Sequence, residues 1–332
     1  MKKILNNPEQ YTDDMLKGIY RTHPRDVTYV NNDLRCYISS NPISGKVGIV
    51  TGGGTGHLPL FLGYVGKNLL DGCAVGSVFQ SPSAEQIFEI TKAVDQGAGV
   101  LYLYGNYTGD IMNFDMSAEL CEMEDIETRS IVGADDVNSA DRDHMDVRRG
   151  VAGIFFMYKC AGAKAAQMAD LDEVLAIAQK AKDRTRTVGF ALSPCVIPEL
   201  GRPNFTLDEG TMAMGMGIHG EPGIWNGPIK TAAELAKESL DTILNDYPIA
   251  KGGQVALLVN GLGATSLEEL YILTNDVCTE LEKRGITVGR TFVGEYATSM
   301  EMTGASISLL HTDDELDALL DVPVDTPFYT QQ

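Results

Sequence analysis

Continuous apolar runs alternate with amphipathic helical patterns in the first half of the chain. A helical pattern with Ser81 or Ser83 as its N-cap lies between two of these runs, and another begins near Ile111. Strands that are apolar on both faces and alternate with helices predict βαβ units and a parallel sheet. The four runs with the composition of buried strands are KVGIVT (46–51), CAVGSV (73–78), GVLYLY (99–104) and ETRSIVG (127–133).

Two further helical patterns, at 149–168 and 172–182, close the first half of the chain. Strand-like runs return at TRTVGFALSP (185–194) and continue towards the C-terminus. We therefore predict an α/β protein made of two α/β domains, with mostly parallel or mixed sheets flanked by helices. The predicted domains are residues 1–185 and residues 186–332.

Three polar, glycine-rich segments follow predicted strands. They are GGGTGH (52–57), GNYTGD (105–110) and GIHGEPG (217–223). In open α/β sheets, ligands bind in the crevice outside the carboxyl ends of the strands. The three segments are therefore candidates for one binding site, with the first two in the N-terminal domain and the third in the C-terminal domain.

The segment GGGTGH is open to three interpretations. A phosphate-binding loop is the weakest, because no G-x-x-x-x-G-K-[ST] run occurs in the chain and the third glycine is out of register for G-x-G-x-x-G. A strand-to-helix turn is the simplest. The third is the floor of a pocket, with His57 presented on the loop or on the first helical turn.

Asp110 and His219 each have a structural and a functional interpretation. Asp110 is either the N-cap of a helix that starts at Ile111 or a general base that accepts a hydroxyl proton as phosphate arrives. His219 is flanked by glycines, which lets backbone and imidazole approach a ligand closely. A lone loop histidine is also compatible with a structural role.

Charge and cysteine content argue against several kinds of partner and site. The 332 residues carry 46 acidic and 26 basic side chains, a formal net charge of -20, which argues against nucleic acid and anionic membranes as partners. Six scattered cysteines without a C-x-x-C motif predict neither a disulfide framework nor a zinc site. The N-terminus lacks an apolar signal-peptide region, so we expect a cytoplasmic protein.

The order of motifs along the chain resembles the dihydroxyacetone kinase K subunit family. The motifs are GGGTGH, SPSAEQIFE, NYTGDIMNF, RRGVAG, FTLDEG, GIHGEPGI, LVNGLGAT and Y-x-T-S-x-x-M-T-G. The resemblance implies a homodimeric phosphotransferase subunit that binds a small ketose. It also implies that this chain binds no cofactor or metal, because a separate nucleotide-binding L subunit carries ADP or ATP with magnesium. In the bacterial phosphotransferase-system version, a phosphocarrier protein rephosphorylates that nucleotide.

The resemblance also implies roles for individual residues. His219 would add to the substrate carbonyl and form a hemiaminal, which a neutral imidazole can do and which excludes glycerol as a substrate. Asp110 would accept the proton of the attacking hydroxyl. His57 would hydrogen-bond the adduct or act as acid or base, and Gly53 and Gly54 would offer backbone contacts to the ketose.

Two positions depart from the family pattern. Leu58 stands where the family has an acidic residue, and Gly105 stands where it has a lysine that contacts the substrate. Both changes remove charge, and Gly105 is expected to free volume. The alternatives are a kinase subunit for a larger ketose such as erythrulose, a non-catalytic dihydroxyacetone-sensing coactivator, or harmless variation. Retention of Asp110, His57 and His219 favours an active kinase subunit.

Overall fold

The first half of the chain folds around one six-stranded sheet in the computed structural model, which describes residues 2–332. Its strands are β1 (Val27–Tyr29), β2 (Cys36–Ser39), β3 (Gly48–Thr55), β4 (Gly72–Val78), β5 (Val100–Gly105) and β6 (Thr128–Gly133). The strand order is β1-β2-β4-β3-β5-β6, and the four strands from β4 to β6 are parallel. The predicted parallel sheet is therefore present.

Five helices accompany this sheet: α1 (Tyr11–Thr22), α2 (Ala84–Val94), α3 (Thr108–Glu122), α4 (Ile154–Ala166) and α5 (Leu171–Asp183). Ser83 caps α2, and the side chain of Gln86 bonds back to the Ser83 N–H to complete a capping box. The α4 helix begins later than the predicted residue 149. The Asp135 carboxylate accepts the N–H of Val151, which holds the preceding segment outside the helix.

The second half is built on a mostly antiparallel sheet. Its strands and those of a small ribbon are β7 (Thr185–Ala191), β8 (Val196–Ile197), β9 (Arg202–Pro203), β10 (Thr211–Met214), β11 (Trp225–Pro228), β12 (Gln254–Gly261), β13 (Thr287–Gly294) and β14 (Gly304–His311). The sheet order is β11-β10-β7-β14-β12-β13, and only β12 and β13 pair in parallel. The α/β class is confirmed, and the two sheets differ in character.

The largest hydrophobic cluster contains residues of both halves. The remaining elements are α6 (Ala232–Asp246), α7 (Leu267–Lys283), α8 (Asp314–Leu320), β15 (Val324–Asp325) and β16 (Thr330–Gln331). Phe155 of α4 and Phe292 of β13 lie in the same buried cluster, with ring centroids 5.1 Å apart. The boundary at residue 185 therefore stays a prediction. Among residues 2–332, no helix has both the length and the apolar composition needed to cross a bilayer.

The glycine-rich stretch after Val50 is strand, not loop. β3 continues through Gly53 and Gly54 to Thr55 and pairs there with β4, so the predicted strand-to-helix turn is wrong. The strand ends at Thr55, and the next residue, Gly56, has a φ of 105°, which suits glycine. His57 follows in a tight turn, and the next element is a short 3₁₀ turn instead of a helix.

The glycines of β3 permit close approach by neighbouring backbone. A Cβ atom on Gly54 would lie 2.7 Å from the Gln80 amide nitrogen and 2.8 Å from the Phe79 Cα atom, nearer than a real Cβ is found. The segment that carries Phe79 can therefore lie directly against the strand.

We expect Gly54→Ala to lower the free energy of unfolding by about 1–3 kcal/mol, because backbone atoms must move to admit the methyl group. Urea unfolding measures the change. Gly18→Ala is the matched control: Gly18 lies in α1 with open space around it, so the same methyl group should leave stability unchanged or raise it by up to about 1 kcal/mol. Equal stability of the two variants would contradict the close approach at Gly54.

Candidate functional site

His57 is a buried, neutral imidazole with one ring nitrogen unused. Its side chain is buried, and Nδ1 lies 2.8 Å from the carbonyl oxygen of Thr298. Because a carbonyl only accepts hydrogen bonds, Nδ1 carries the proton and Nε2 is left as an acceptor. Burial, together with the neighbouring charge of His219, lowers the pKa of His57 to about 3. His57 therefore stays uncharged at neutral pH.

His219 lies in the loop between β10 and β11, directly beside His57. The two ring centroids are 4.7 Å apart with the planes at 78°, an edge-to-face contact. Asn204 donates its amide N–H to the His219 carbonyl at 2.9 Å, which holds the loop. The structure thus brings together two histidines that are far apart in the sequence and lie on opposite sides of residue 185.

Two aromatic side chains enclose the histidine pair. The Phe79 ring stacks on His57 at 5.0 Å and meets His219 edge-to-face at 5.2 Å. The Tyr107 ring meets His219 edge-to-face, with ring centroids 4.7 Å apart. The Tyr107 hydroxyl donates to the Gly150 carbonyl at 3.1 Å. These contacts restrict both imidazoles to one orientation and limit the space for a ligand.

Asp110 lies in the first turn of α3 and is not its N-cap. The helix starts at Thr108, with Tyr107 at the cap position, so the predicted cap at Asp110 and start at Ile111 are wrong. Asp110 is only 6% exposed. Burial raises the pKa of its carboxyl to about 6, although a hydrogen bond from Ser81 and the charge of His219 oppose the rise.

Two buried acceptor atoms of these residues have no protein partner. Among residues 2–332, six buried side-chain polar atoms lack a hydrogen bond, and they include His57 Nε2 and Asp110 Oδ1. An unsatisfied buried acceptor is costly and calls for an explanation, such as a ligand that donates to it. His57 Nε2 accepts a hydrogen bond in the neutral ring, and Asp110 Oδ1 accepts one when the carboxyl group is ionised. The pair therefore suits a ligand with several hydroxyl groups.

Gly53 and Gly54 place an open edge of β3 next to this region. β3 pairs with β5 only over residues 48–50, whereas its pairing with β4 continues to Thr55. The later part of the strand thus has no strand partner on the β5 side. This arrangement is compatible with backbone contacts to a small ligand at Gly53 and Gly54, which stay predictions.

The surroundings of Gly105 and Leu58, the two departures from the family pattern, differ. A Cβ atom on Gly105, at the end of β5, would lie 3.1 Å from the Tyr107 ring. The volume beside Gly105 is therefore occupied by that ring, contrary to the expectation that Gly105 frees space. Leu58 is half-buried and packs against the main hydrophobic cluster, and its carbonyl accepts the Thr298 hydroxyl at 3.0 Å.

Several residues of this region escaped the sequence analysis. Glu221 lies 2.9 Å from the His219 ring, and the only signal was its place two residues further along GIHGEPG. Thr298 lies within the motif Y-x-T-S-x-x-M-T-G, but no local pattern connects it to His57. Phe79 lies in none of the motifs.

An apolar cavity of about 210 Å³ lies between α6 and α7 and is lined by Phe190 among others. None of the candidate site residues lines it.

Metal-ligand geometry is not found in the part of the chain that the structure describes. Residues 2–332 contain no group of three or more histidine, cysteine, aspartate or glutamate side chains placed to hold a metal ion. The six cysteines are free thiols, and five of them are buried.

Comparison with known proteins gives matches over nearly the whole of this chain. The Dak1 domain model matches residues 17–328. The PTS-dependent dihydroxyacetone kinase 1, dihydroxyacetone-binding subunit DhaK of Listeria innocua is 44% identical over 328 residues, which cover 98% of this chain and 99% of that protein. The D-erythrulose kinase of Mycolicibacterium smegmatis is 41% identical over 329 residues, which cover 99% of this chain but only 56% of that kinase.

A solved structure has the same fold over nearly its whole length. It is described as the dihydroxyacetone kinase operon co-activator Dha-DhaQ, and it aligns with a TM-score of 0.87 and 32% sequence identity. The alignment covers 94% of this chain and 96% of that one. The chain is therefore similar both to relatives with kinase names and to a protein with a co-activator name.

We expect Asp110→Asn to raise the free energy of unfolding at about pH 8 by about 2 kcal/mol, because it removes a buried charge. A carboxyl whose pKa is raised on folding costs stability above its folded pKa, and that cost disappears as the pH falls from about 6 towards 4. The gain should therefore shrink over that interval. Urea unfolding at several pH values measures it.

Asp115→Asn on the same helix is the control, since Asp115 is exposed and should give little change at either pH. A pH-independent effect of Asp110→Asn would show that the Asp110 carboxyl does not have a raised pKa.

Proposed function

The chain belongs to the Dak1 domain family, and from that premise we propose that it is the ketose-binding subunit of a dihydroxyacetone-type kinase. The observation that carries the proposal is the contact of His219 with His57, 4.7 Å between ring centroids, beside two buried acceptors without partners. One imidazole supplies a nucleophile for a carbonyl, and the acceptors suit the hydroxyls of the same small molecule. Relatives named as dihydroxyacetone-binding subunits support the substrate class.

The proposed first step is reversible addition of His219 to the ketose. The Nε2 lone pair forms a bond to the carbonyl carbon, and the carbon–oxygen π bond breaks. The resulting alkoxide takes up one proton from water, and the hydroxide left behind takes the proton from Nδ1 of the alkylated ring. The hemiaminal therefore has the mass of protein plus one ketose. Polyols without a carbonyl cannot form it, which separates ketoses from glycerol.

Asp110 and His57 would act on the hydroxyl groups of the bound ketose. Asp110, with a pKa of about 6, is ionised at neutral pH and can accept the proton of a terminal hydroxyl as that oxygen attacks phosphorus. His57 is held neutral, so it accepts a hydrogen bond through Nε2 and does not donate as an imidazolium. Of its two expected roles, hydrogen bonding to the adduct is the one that this geometry favours.

The phosphoryl donor would come from a second protein. We propose a nucleotide-carrying L-type subunit with magnesium, since phosphoryl transfer needs cationic stabilisation and residues 2–332 offer no metal cluster. Relatives named as PTS-dependent kinase subunits are compatible with a partner of this kind. A homodimer of this chain is the assembly that the family resemblance implies.

A four-carbon ketose is the second candidate substrate. It is favoured by the 41% identity to a D-erythrulose kinase and by the absence of a lysine at Gly105. The Tyr107 ring fills the space at Gly105, so any larger substrate would extend elsewhere, towards the open edge of β3. A dihydroxyacetone-sensing coactivator is the non-catalytic alternative, supported by the likeness to Dha-DhaQ.

We expect His219→Ala to abolish the covalent adduct, because the other imidazole of the site, His57, is buried and has only a neutral carbonyl behind it. Intact-mass spectrometry after incubation with dihydroxyacetone measures it: the wild-type mass should increase by one ketose, and the variant mass should not change. His144→Ala, which removes an exposed histidine, should retain the adduct. A wild-type protein that forms no adduct, or an adduct retained in His219→Ala, contradicts the proposal.

Comparison of two ketoses tests the substrate and the kinase role together. With an L-type subunit and its nucleotide added, we expect phosphorylation of dihydroxyacetone, and a four-carbon substrate is indicated instead if erythrulose has the higher kcat/KM. Asp110→Asn should lower turnover by about a hundredfold or more while the adduct still forms. Adduct formation without turnover of either ketose would favour the coactivator.

A further inference from the structure

We propose that Glu221 is a positioning residue that holds His219 with Nδ1 protonated, so that the Nε2 lone pair is available to the ketose carbonyl. The inference rests on the proposed function for its chemistry, but its structural part concerns only the free protein. It explains why His219, and not its neighbour His57, is the nucleophile of the pair.

Both oxygens of the Glu221 carboxylate are engaged by the same residue. Oε1 lies 2.9 Å from Nδ1 of the His219 ring, and Oε2 accepts the His219 backbone N–H at 2.9 Å. One contact sets the rotation of the ring and the other fixes its attachment to the loop. The imidazole is therefore held from two directions by a single side chain.

The contact also selects one tautomer of the neutral ring. An ionised carboxylate can only accept hydrogen bonds, so Nδ1 must carry the proton and Nε2 must carry the lone pair. Burial by itself would raise the pKa of Glu221. The hydrogen bond and charge of His219, with help from the charge of Arg149, lower it to about 2. Glu221 therefore remains a carboxylate throughout the neutral pH range.

A charged side chain from the first half supports this carboxylate. Arg149 donates to Asp136 at 2.9 Å and to the Gly215 carbonyl at 2.9 Å. A Cβ atom on Gly217 would lie 2.1 Å from Glu221 Oε2 and 2.6 Å from Arg149 Nη1, so both groups converge on the place that this glycine leaves open. Arg149 thereby anchors the second-half loop to the end of the first sheet.

The two histidines share a tautomer and differ in the charge behind it. The Nδ1–H of His57 donates a hydrogen bond to the neutral carbonyl of Thr298, whereas the Nδ1–H of His219 donates one to a carboxylate. A carboxylate behind an imidazole raises the basicity of the far nitrogen and stabilises positive charge that develops on the ring. Addition to a carbonyl creates that charge, so His219 is the better nucleophile.

The test compares Glu221→Ala and Glu221→Gln with the wild type. NMR of protein with isotope-labelled histidine reports which ring nitrogen of His219 carries the proton, and the signals are assigned by their loss in His219→Ala. In wild type without ketose we expect a single tautomer with Nδ1 protonated. In Glu221→Ala we expect a mixture of the two tautomers. Glu221→Gln keeps one acceptor oxygen for two donors, so an intermediate result is expected.

Adduct formation gives the second readout. At subsaturating dihydroxyacetone, the adduct fraction in intact-mass spectra should fall about tenfold to a hundredfold in Glu221→Ala and less in Glu221→Gln. Glu199→Ala, which removes an exposed carboxylate of the same half, should match the wild type in both readouts. A circular dichroism spectrum equal to that of the wild type would confirm that the variants are folded.

Unchanged ring-nitrogen signals in Glu221→Ala would overturn the positioning role. Wild-type protein that shows the single tautomer but forms no adduct would contradict the proposed function and leave the structural part intact. An adduct that forms equally well in Glu221→Ala despite mixed tautomers would also overturn the proposal, because the tautomer would then not limit the addition.

Discussion

The site depends on two buried acceptors that the fold leaves without donors, His57 Nε2 and Asp110 Oδ1. Each such atom costs about 1–3 kcal/mol in lost hydration. Most of the surrounding polar groups are satisfied, including Nδ1 of His57 and both oxygens of Glu221. These two unsatisfied acceptors belong to residues of the candidate site, so a polyhydroxy ligand that donates to them would recover the cost.

Close packing of backbone makes this arrangement possible. Gly54 allows the segment with Phe79 to lie on β3, and Phe79 in turn stacks on His57. On the other side, Tyr107 fills the space at Gly105 and meets His219. Gly54 and Gly105 therefore leave room for the aromatic enclosure around two imidazoles.

Local physics made part of this structure predictable from the sequence. The apolar runs predicted the parallel strands, and Ser83 predicted the start of α2. Each of these signals is contained in a few consecutive residues. The sequence analysis missed the extension of β3 through the glycines, because glycine has a low β-propensity. Pairing with β4, which outweighs that low propensity, is not visible in the local sequence. The contact of His57 with Thr298 spans 241 residues and leaves no local pattern.

The resemblance to a family assigned the nucleophile to His219 without a physical reason, and the structure supplies one in the partners of the two rings. Both imidazoles have an accepting oxygen at Nδ1 and direct Nε2 away from it, so hydrogen-bond direction alone does not distinguish them. Charge does: a buried ring backed by a neutral carbonyl resists the positive charge of addition, whereas a partly exposed ring backed by a carboxylate accommodates it. Two chemically identical side chains, 4.7 Å apart, are thereby suited to different steps of one reaction.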